Sequence, residues 1–384
     1  MDLNFDDDTQ AFRAEVRTFL AANSAHFPTK SYDTAEGFEQ HRHWDKVLFD
    51  AGLSVIAWPE KYGGRDATLL QWIVYEEEYF RAGAPGRASA NGTSMLAPTL
   101  FAHGTEEQLD RVLPKMASGE EIWAQAWSEP ESGSDLASLR STATKTDGGW
   151  KLNGQKVWTS GAHYCKRGLA TVRTDPQAAK HAGITTVIID MKAPGVQVRP
   201  LRMINGGSEF NEVFFNDVFV PDEDVVGEPN SGWTVARATL GNERVSIGGG
   251  SGIAGVNPSV LIALVGEHAD RLAGAKIRVG NFLSDEHALR LLNLRRAVRS
   301  IEGGGPGPEG NITKLKLAEH MGEYAAISCA LLGPDIALLD GPAAIAAQMA
   351  MGARAMAIAG GTSEVTRNQI AERILGMPRD PLIK

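Results

Sequence analysis

Apolar positions along the chain fall into three regimes. Near the start, Phe12, Val16, Phe19 and Leu20 recur at helical spacing behind the acidic run Asp6-Asp7-Asp8, which suits a helix N-terminus. Thr105-Glu-Glu-Gln108 has the spacing of a capping box and opens a helix that carries Leu109, Val112 and Leu113. Between them, Trp58-Pro-Glu-Lys-Tyr-Gly-Gly-Arg65 reads as a glycine-rich loop. Near residue 121 the period shortens. Runs rich in β-formers follow at 150–152, 155–159, 169–173, 184–190, 196–201 and 212–220, separated by Gly, Pro, Asn and Asp. This predicts a small antiparallel β-domain closed by Pro221 and the Gly/Pro-rich segment 226–232.

From Trp233 the pattern is helical again. Leu283, Leu291, Leu294, Val298 and Ile301 predict one helix, and Ile312, Leu315, Met321 and Ala325 the next. The segment 302–311 between them is too rich in Gly and Pro to be helical. A last helix is expected from about Thr362 to Leu375, with Gly376 and Pro378 as stop signals. The expected plan is an α+β multidomain chain: helical over 1–120, β over 121–230, helical over 231–384.

Composition narrows the function classes. The 384 residues are 43% hydrophobic and 22% charged, as in ordinary globular proteins. A net charge of −9 without a basic stripe argues against nucleic acid. No apolar run reaches membrane-span length, and the first eight residues are acidic where a signal peptide would be basic and then apolar. Cys165 and Cys329 are the only cysteines, too few and too far apart for a disulfide framework, so the expected setting is cytoplasmic. The histidines lack metal-ligand spacing, and His41 and His43 read as solvated. Ser160 and His163 lack a third orienting group, and no dinucleotide or P-loop fingerprint is present. Glu76-Glu-Glu78 reads as the wet side of a helix.

Three segments carry candidate chemistry. Trp127-Ser-Glu-Pro-Glu-Ser-Gly-Ser-Asp135 combines a glycine that admits close backbone approach with hydroxyl donors, although every residue type in it also suits a plain turn. Lys156-Val-Trp-Thr-Ser-Gly161 places an aromatic inside a strand, where a core role is the ordinary alternative. Gly360-Gly-Thr-Ser-Glu-Val-Thr-Arg367 opens a helix, a place where backbone donors and the dipole favour anions, or simply a capped helix. Taken in this order, with the loop at 58–65, these segments resemble the signatures of the acyl-CoA dehydrogenase family along nearly the whole chain.

The resemblance implies that family's fold, with an N-terminal helical domain, a central β-domain and a C-terminal four-helix bundle. It implies FAD as cofactor, contacted by Trp127, Ser128, Gly133, Ser134, Trp158, Ser160, Thr362 and Glu364, with Ser134 and Arg244 toward the substrate. Trp158 would pack on the isoalloxazine and Ser160 would donate toward its N5/O4 edge. Many members carry the catalytic glutamate where this chain has Gly360. A branch similar to isovaleryl-CoA dehydrogenase carries it on another helix, and Glu243 in Leu240-Gly-Asn-Glu-Arg-Val-Ser246 falls on that position. Without the resemblance, Glu243-Arg244 would be a surface charge pair, and adjacent helix residues do not face each other. The implied reaction is α,β-desaturation of an acyl-CoA thioester. Glu243 takes the α-proton, FAD accepts the β-hydride, and the Gly360 N–H with a ribityl hydroxyl holds the carbonyl as it gains enolate character. Electrons would then pass to an electron-transfer flavoprotein.

Two departures bear on assembly. The family's Gln-x-x-Gly-Gly-x-Gly segment, which meets a neighbouring subunit's FAD, is matched only by the shorter Gln348-Met-Ala-Met-Gly-Ala-Arg354. Arg271 is the candidate for the arginine that reaches FAD from a partner. Such departures resemble actinobacterial members that pair two different subunits into an α2β2 heterotetramer, some acting on steroid side-chain thioesters, so the expected assembly is a homotetramer or such a heterotetramer with a paralogous subunit. The glycine run 248–252 fits a wide acyl pocket or an irregular loop. The alternatives are a flavin monooxygenase or oxidase on the same fold, and a non-catalytic or half-site subunit.

Overall fold

The computed structural model describes residues 5–239, 258–301, 310–338 and 340–379. Five helices come first: α1 (Asp7–Asn23), α2 (Ala35–Asp50), α3 (Leu69–Arg81), α4 (Ala97–His103) and α5 (Glu106–Ala117). Eight strands follow: β1 (Trp123–Ala126), β2 (Thr142–Thr146), β3 (Gly149–Ser160), β4 (Arg167–Arg173), β5 (Ile184–Asp190), β6 (Val196–Pro200), β7 (Phe210–Pro221) and β8 (Val225–Val226). The later helices are α6 (Pro258–His268), α7 (Ala275–Ile301), α8 (Gly310–Leu332), α9 (Gly341–Met356) and α10 (Ser363–Arg373). The capping box at Thr105 forms as its spacing predicts. Gln108 N donates to Thr105 Oγ1 at 3.3 Å, and Thr105 N donates to Gln108 Oε1 at 3.1 Å.

These elements pack as two compact units. One takes Thr18–Thr68 and Gly83–Glu243; the other takes Met1–Arg17, Leu69–Ala82 and Arg244–Lys384. The first is built on a single sheet ordered β6-β7-β3-β2-β4-β5-β8, with β1 on β4. Most pairs are antiparallel, as expected, but β1 and β2 each run parallel to β4. The runs predicted at 150–152 and 155–159 are one strand, β3, with register irregularities along its pairing with β7. Strand β5 is buried on both faces from Ile184 to Ile189, so its sequence, Ile-Thr-Thr-Val-Ile-Ile, carries β-branched residues without an apolar–polar alternation. Its Ile188, with Leu169 of β4, packs against Leu100, Val112 and Leu113 of α4 and α5. Val187 and Ile189 point to the opposite core with Ala170, Val172, Leu152 and Val213.

The second unit is helical. Phe282 of α7 and Leu317, Met321, Tyr324 and Ile327 of α8 form its core with Leu261 and Leu264 of α6. One expectation is overturned here. Glu77 and Glu78 are buried at 6% and 2% exposure, not on a wet face. Arg13 and Arg17 of α1 donate to Glu78 at 3.1 and 2.9 Å, Arg81 to Glu78 at 2.7 Å, and Arg290 of α7 to Glu77 at 2.6 Å. Paired cations remove the penalty that made burial of these carboxylates implausible from sequence. Burial pushes the Glu78 carboxyl up, but Arg17, Arg81 and Arg13 outweigh it and hold it below the usual glutamate range.

Candidate active site

In the sheet unit, two of the three segments lie side by side. The first leaves β1 as a loop: Trp127 is buried, Ser128 half-buried, and Gly133, Ser134 and Asp135 are exposed. Glu129 and Ser132 exchange main-chain hydrogen bonds at 3.1 Å, closing a tight turn over the intervening Pro130 and Glu131. A Cβ added to Gly133 would meet nothing within 4 Å, so this backbone faces open space. Lys180 and Ser138 bond Asp135 at 2.6 Å each and hold its carboxyl below the usual range.

The second segment is the end of β3. Its pairing with β7 shifts between Lys156↔Val213 and Thr159↔Asn211, so three steps on β3 match two on β7. The extra residue makes a β-bulge. Within it Trp158 adopts φ 59°, a left-handed conformation costing an L-residue about 1–2 kcal/mol. The bulge turns the indole outward, leaving it 61% exposed, and its one ring contact among the described residues is an edge contact to Phe210 at 5.9 Å between centroids. This disposes of the core alternative for Trp158. A strained, exposed aromatic beside an open glycine loop is the kind of outlier that accumulates at binding sites. Ser160, half-buried, pairs with Phe210 at the end of the strand.

What joins the two segments escaped the sequence analysis. Val157 N donates to Ser128 O at 2.8 Å. Lys156, fully buried, donates to Trp127 O at 3.1 Å, Glu129 Oε1 at 2.8 Å and Thr171 O at 2.7 Å. The Glu129 carboxylate also accepts from Arg140 N at 2.6 Å and Ser141 N at 2.9 Å. Burial alone would favour a neutral pair. Lys156 and the main-chain donors reverse this for Glu129, holding its carboxyl below the usual range. Lys156 in turn is pulled downward by burial, with the Glu129 carboxylate opposing. The available signal was a lysine in period-two register with the inward Trp150 and Leu152 of the same strand.

The third segment lies in the helical unit. Gly360 and Gly361 have φ of 67° and 99°, so the backbone itself favours glycine here, independently of any neighbouring side chain. Thr362 is the N-cap of α10 and accepts from Val365 N at 3.2 Å, a bond that leaves its hydroxyl proton for another acceptor. Glu364 sits exposed in the first turn. Buried Lys314 of α8 donates to Gly361 O at 2.5 Å, fixing the glycine turn from below. Arg271 is engaged within its own unit: its Nη1 donates to Leu331 O, Leu332 O and Asp335 Oδ2 at 3.3, 2.7 and 2.8 Å. A cation capping the C-terminus of α8 is electrostatically favoured, so reaching a flavin would require giving up these bonds. Glu243, Arg244 and the glycine run 248–252 lie outside the described residues.

Among the described residues no helix is long and apolar enough to cross a membrane, and no cluster of metal-ligating side chains occurs. His163 bonds Asn211 through Nδ1 at 2.8 Å and is not paired with Ser160.

Comparison with known proteins completes the picture. Family models for the acyl-CoA dehydrogenase N-terminal, middle and C-terminal domains match residues 6–120, 124–218 and 230–375. The chain is 37% identical to acyl-CoA dehydrogenase IpdE1 of Mycobacterium tuberculosis, over 97% of this chain and 99% of that protein. Among solved structures it is similar to the Tcur3481–Tcur3483 steroid ACAD, with TM-score 0.87 and 27% identity over 99% of this chain and 100% of that one. The ChsE4–ChsE5 complex from Mycobacterium tuberculosis gives TM-score 0.80 and 27% identity over 99% of this chain and 100% of that one. Three consecutive domain matches and full-length similarity agree with the order of segments on the sheet and helix: the chain is an oxidoreductase belonging to the acyl-CoA dehydrogenase family.

Proposed function

We propose that this enzyme uses FAD to introduce an α,β double bond into an acyl-CoA thioester and passes the electrons to an electron-transfer flavoprotein. The observation that carries the cofactor reading is Trp158, pushed outward by a bulge at a conformational cost and left without a partner for most of its ring. A flat ring system stacking there would gain the dispersion and apolar burial that the fold itself does not supply. The open space at Gly133 and the hydroxyls of Ser128, Ser134 and Ser160 on the same unit fit a pyrophosphate and a flavin edge. In the helical unit, Thr362 and Glu364 are the proposed FAD contacts. Bound FAD would supply the hydride acceptor.

The chain's own residues do the rest. Glu243 is the proposed base for the α-proton. The Gly360 N–H is the proposed donor to the thioester oxygen, an interaction of a type worth several kcal/mol when charge develops there. Ser134 and Arg244 are assigned to the substrate. For the acyl group we favour a bulky or steroid-derived chain, supported by the steroid ACAD among the similar structures. For assembly we favour pairing with a paralogous subunit over a homotetramer, supported by the ChsE4–ChsE5 complex and the shortened Gln348–Arg354 segment.

The test is the absorbance spectrum of the purified protein during anaerobic addition of acyl-CoAs, from short chains to steroid thioesters. Bleaching of a flavin band by one class is expected. Glu243→Gln should retain FAD yet lose both bleaching and α-proton exchange, and normal turnover by that variant would exclude Glu243 as the base. Gly360, where many relatives carry the base, supports a second reading as the half-site subunit of a heteromer. Its signature is a colourless chain that acquires flavin only with its paralogue.

A further inference from the structure

We infer that Lys156 and Glu129 form a positioning clasp that holds the loop at 127–135 and the Trp158 bulge in one fixed relation, so that both sides of the flavin site move as a unit; this rests on the FAD reading above. The pair has an unusual geometry for a structural ion pair. All three ammonium protons of Lys156 are used, and their acceptors come from the loop (Trp127 O and Glu129 Oε1) and from β4 (Thr171 O). Glu129 distributes its oxygens in the same way. Oε1 serves Lys156 and Ser141 N, while Oε2 serves Arg140 N. One carboxylate therefore ties both ends of the loop that carries Gly133 and Ser134. Lys156 then ties that carboxylate to the strand two residues before Trp158. Val157 N on Ser128 O adds a direct rung.

Stability does not explain the pair. Buried ion pairs replaced by apolar residues of similar volume commonly leave a protein equally or more stable. Lys156 pairs across the sheet with Val213, a member of the apolar core, so an apolar side chain in its place would have an apolar neighbour. Apolar residues would fill the space but could not specify where the loop's main-chain atoms lie, because dispersion has no directional preference and three charge-assisted hydrogen bonds do. Sites of this kind need their groups held within a fraction of an ångström.

The test uses the full-length protein with the double substitution Lys156→Met/Glu129→Leu. It is stripped of flavin and titrated with FAD, following flavin fluorescence and its quenching by Trp158, alongside a thermal melt. The expected result is a melting temperature within a few degrees of the parent, an FAD dissociation constant raised on the order of tenfold or more, and incomplete quenching when saturated. Parental affinity and full quenching in a folded double variant would overturn the clasp and leave the FAD reading intact. A parent that binds no FAD either alone or together with its paralogous subunit would overturn both. If the double variant does not fold, Arg140→Pro decides. It deletes the main-chain donor to Oε2 together with the Arg140–Glu131 ion pair, which Arg140→Ala removes alone and so controls for, and Leu139 before it already has the extended backbone (ψ 145°) that proline requires of its predecessor. A several-fold loss of FAD affinity is expected from it, and unchanged affinity would refute the clasp.

Discussion

Replacing Trp158 with glycine separates a site residue from a core residue by the sign and size of its effects. Trp158 is 61% exposed and touches Phe210 by an edge contact. Losing that contact costs about 0.5–1.5 kcal/mol. Relief of the left-handed conformation at φ 59° returns about 1–2 kcal/mol, of which glycine's greater unfolded-state freedom takes back about 0.5–1 kcal/mol. The terms cancel to within about 1 kcal/mol, a shift of roughly 2–4 °C in a unit of this size. A buried tryptophan would instead cost about 3–5 kcal/mol on truncation. The cofactor side is asymmetric. Covering about 100 Å² of the exposed indole with a flavin ring is worth about 2 kcal/mol, so Trp158→Gly should weaken FAD binding by roughly 30-fold. Differential scanning fluorimetry of the flavin-free protein and an FAD titration read the two quantities separately. A melting temperature lowered by about 10 °C or more with unchanged FAD affinity would refute the argument.

Two further changes test the electrostatics of each unit. In the sheet unit, buried Asp45 accepts from Ser89 N, and burial pushes its carboxyl up to about 6. Because the folded state then holds the proton more tightly than the unfolded one, stability falls as pH rises from about 4 to about 6, by about 2–3 kcal/mol. Asp45→Asn should remove that slope in urea melts at pH 4.5 and 7, and an unchanged slope would rule Asp45 out as its source. In the helical unit, Glu78→Gln leaves Arg13, Arg17 and Arg81 around a neutral amide. Arg13 is 14% exposed but Arg17 and Arg81 are 59% and 56% exposed, so solvent screens much of the loss and about 1–3 kcal/mol is expected. Since the folded Glu78 carboxyl lies below its ordinary value, its contribution is present above about pH 4.3 and lost as pH falls further. Parent and variant should converge in acid; a gap that persists at pH 3 would contradict this.

The parts of the structure that could be read from sequence are those governed by local rules. The capping box at Thr105, the stop after α10 and the strands β5 and β7 depend on neighbours a few residues away, and they formed where expected. β1 and β2 were missed for different reasons. Trp123–Ala126 has only four residues, too few for an alternating pattern to stand out, and Thr142–Thr146 is mostly polar because one of its faces is exposed. Their parallel pairing with β4 is set by the path of the chain and leaves no local trace. Glu77, Glu78 and Lys156 were misread or passed over because their partners lie tens to hundreds of residues away, and single-residue preferences price such groups as solvent-exposed. The motifs at 127–135 and 156–161 were legible as chemistry, but the bulge that turns Trp158 outward was not: it follows from an unequal residue count across two strands.

The division of the chain into two interleaved units has a temporal side. Moving from N- to C-terminus, the polypeptide passes between units after Arg17, Thr68, Ala82 and Glu243. The helical unit therefore joins segments made before the sheet unit to segments made after it. Glu77 meets Arg290 across a separation of 213 residues, which at a synthesis rate of about 5–20 residues per second corresponds to roughly 10–40 s. During that interval α1 and α3 have neither the apolar core of α7 and α8 nor this cation. The intervening 18–68 and 83–243 segments can already close their own sheet. The sheet unit is thus the natural first product of translation. The nascent α1 and α3 are the segments with most to gain from a chaperone, and neither unit can be excised as one continuous stretch of sequence.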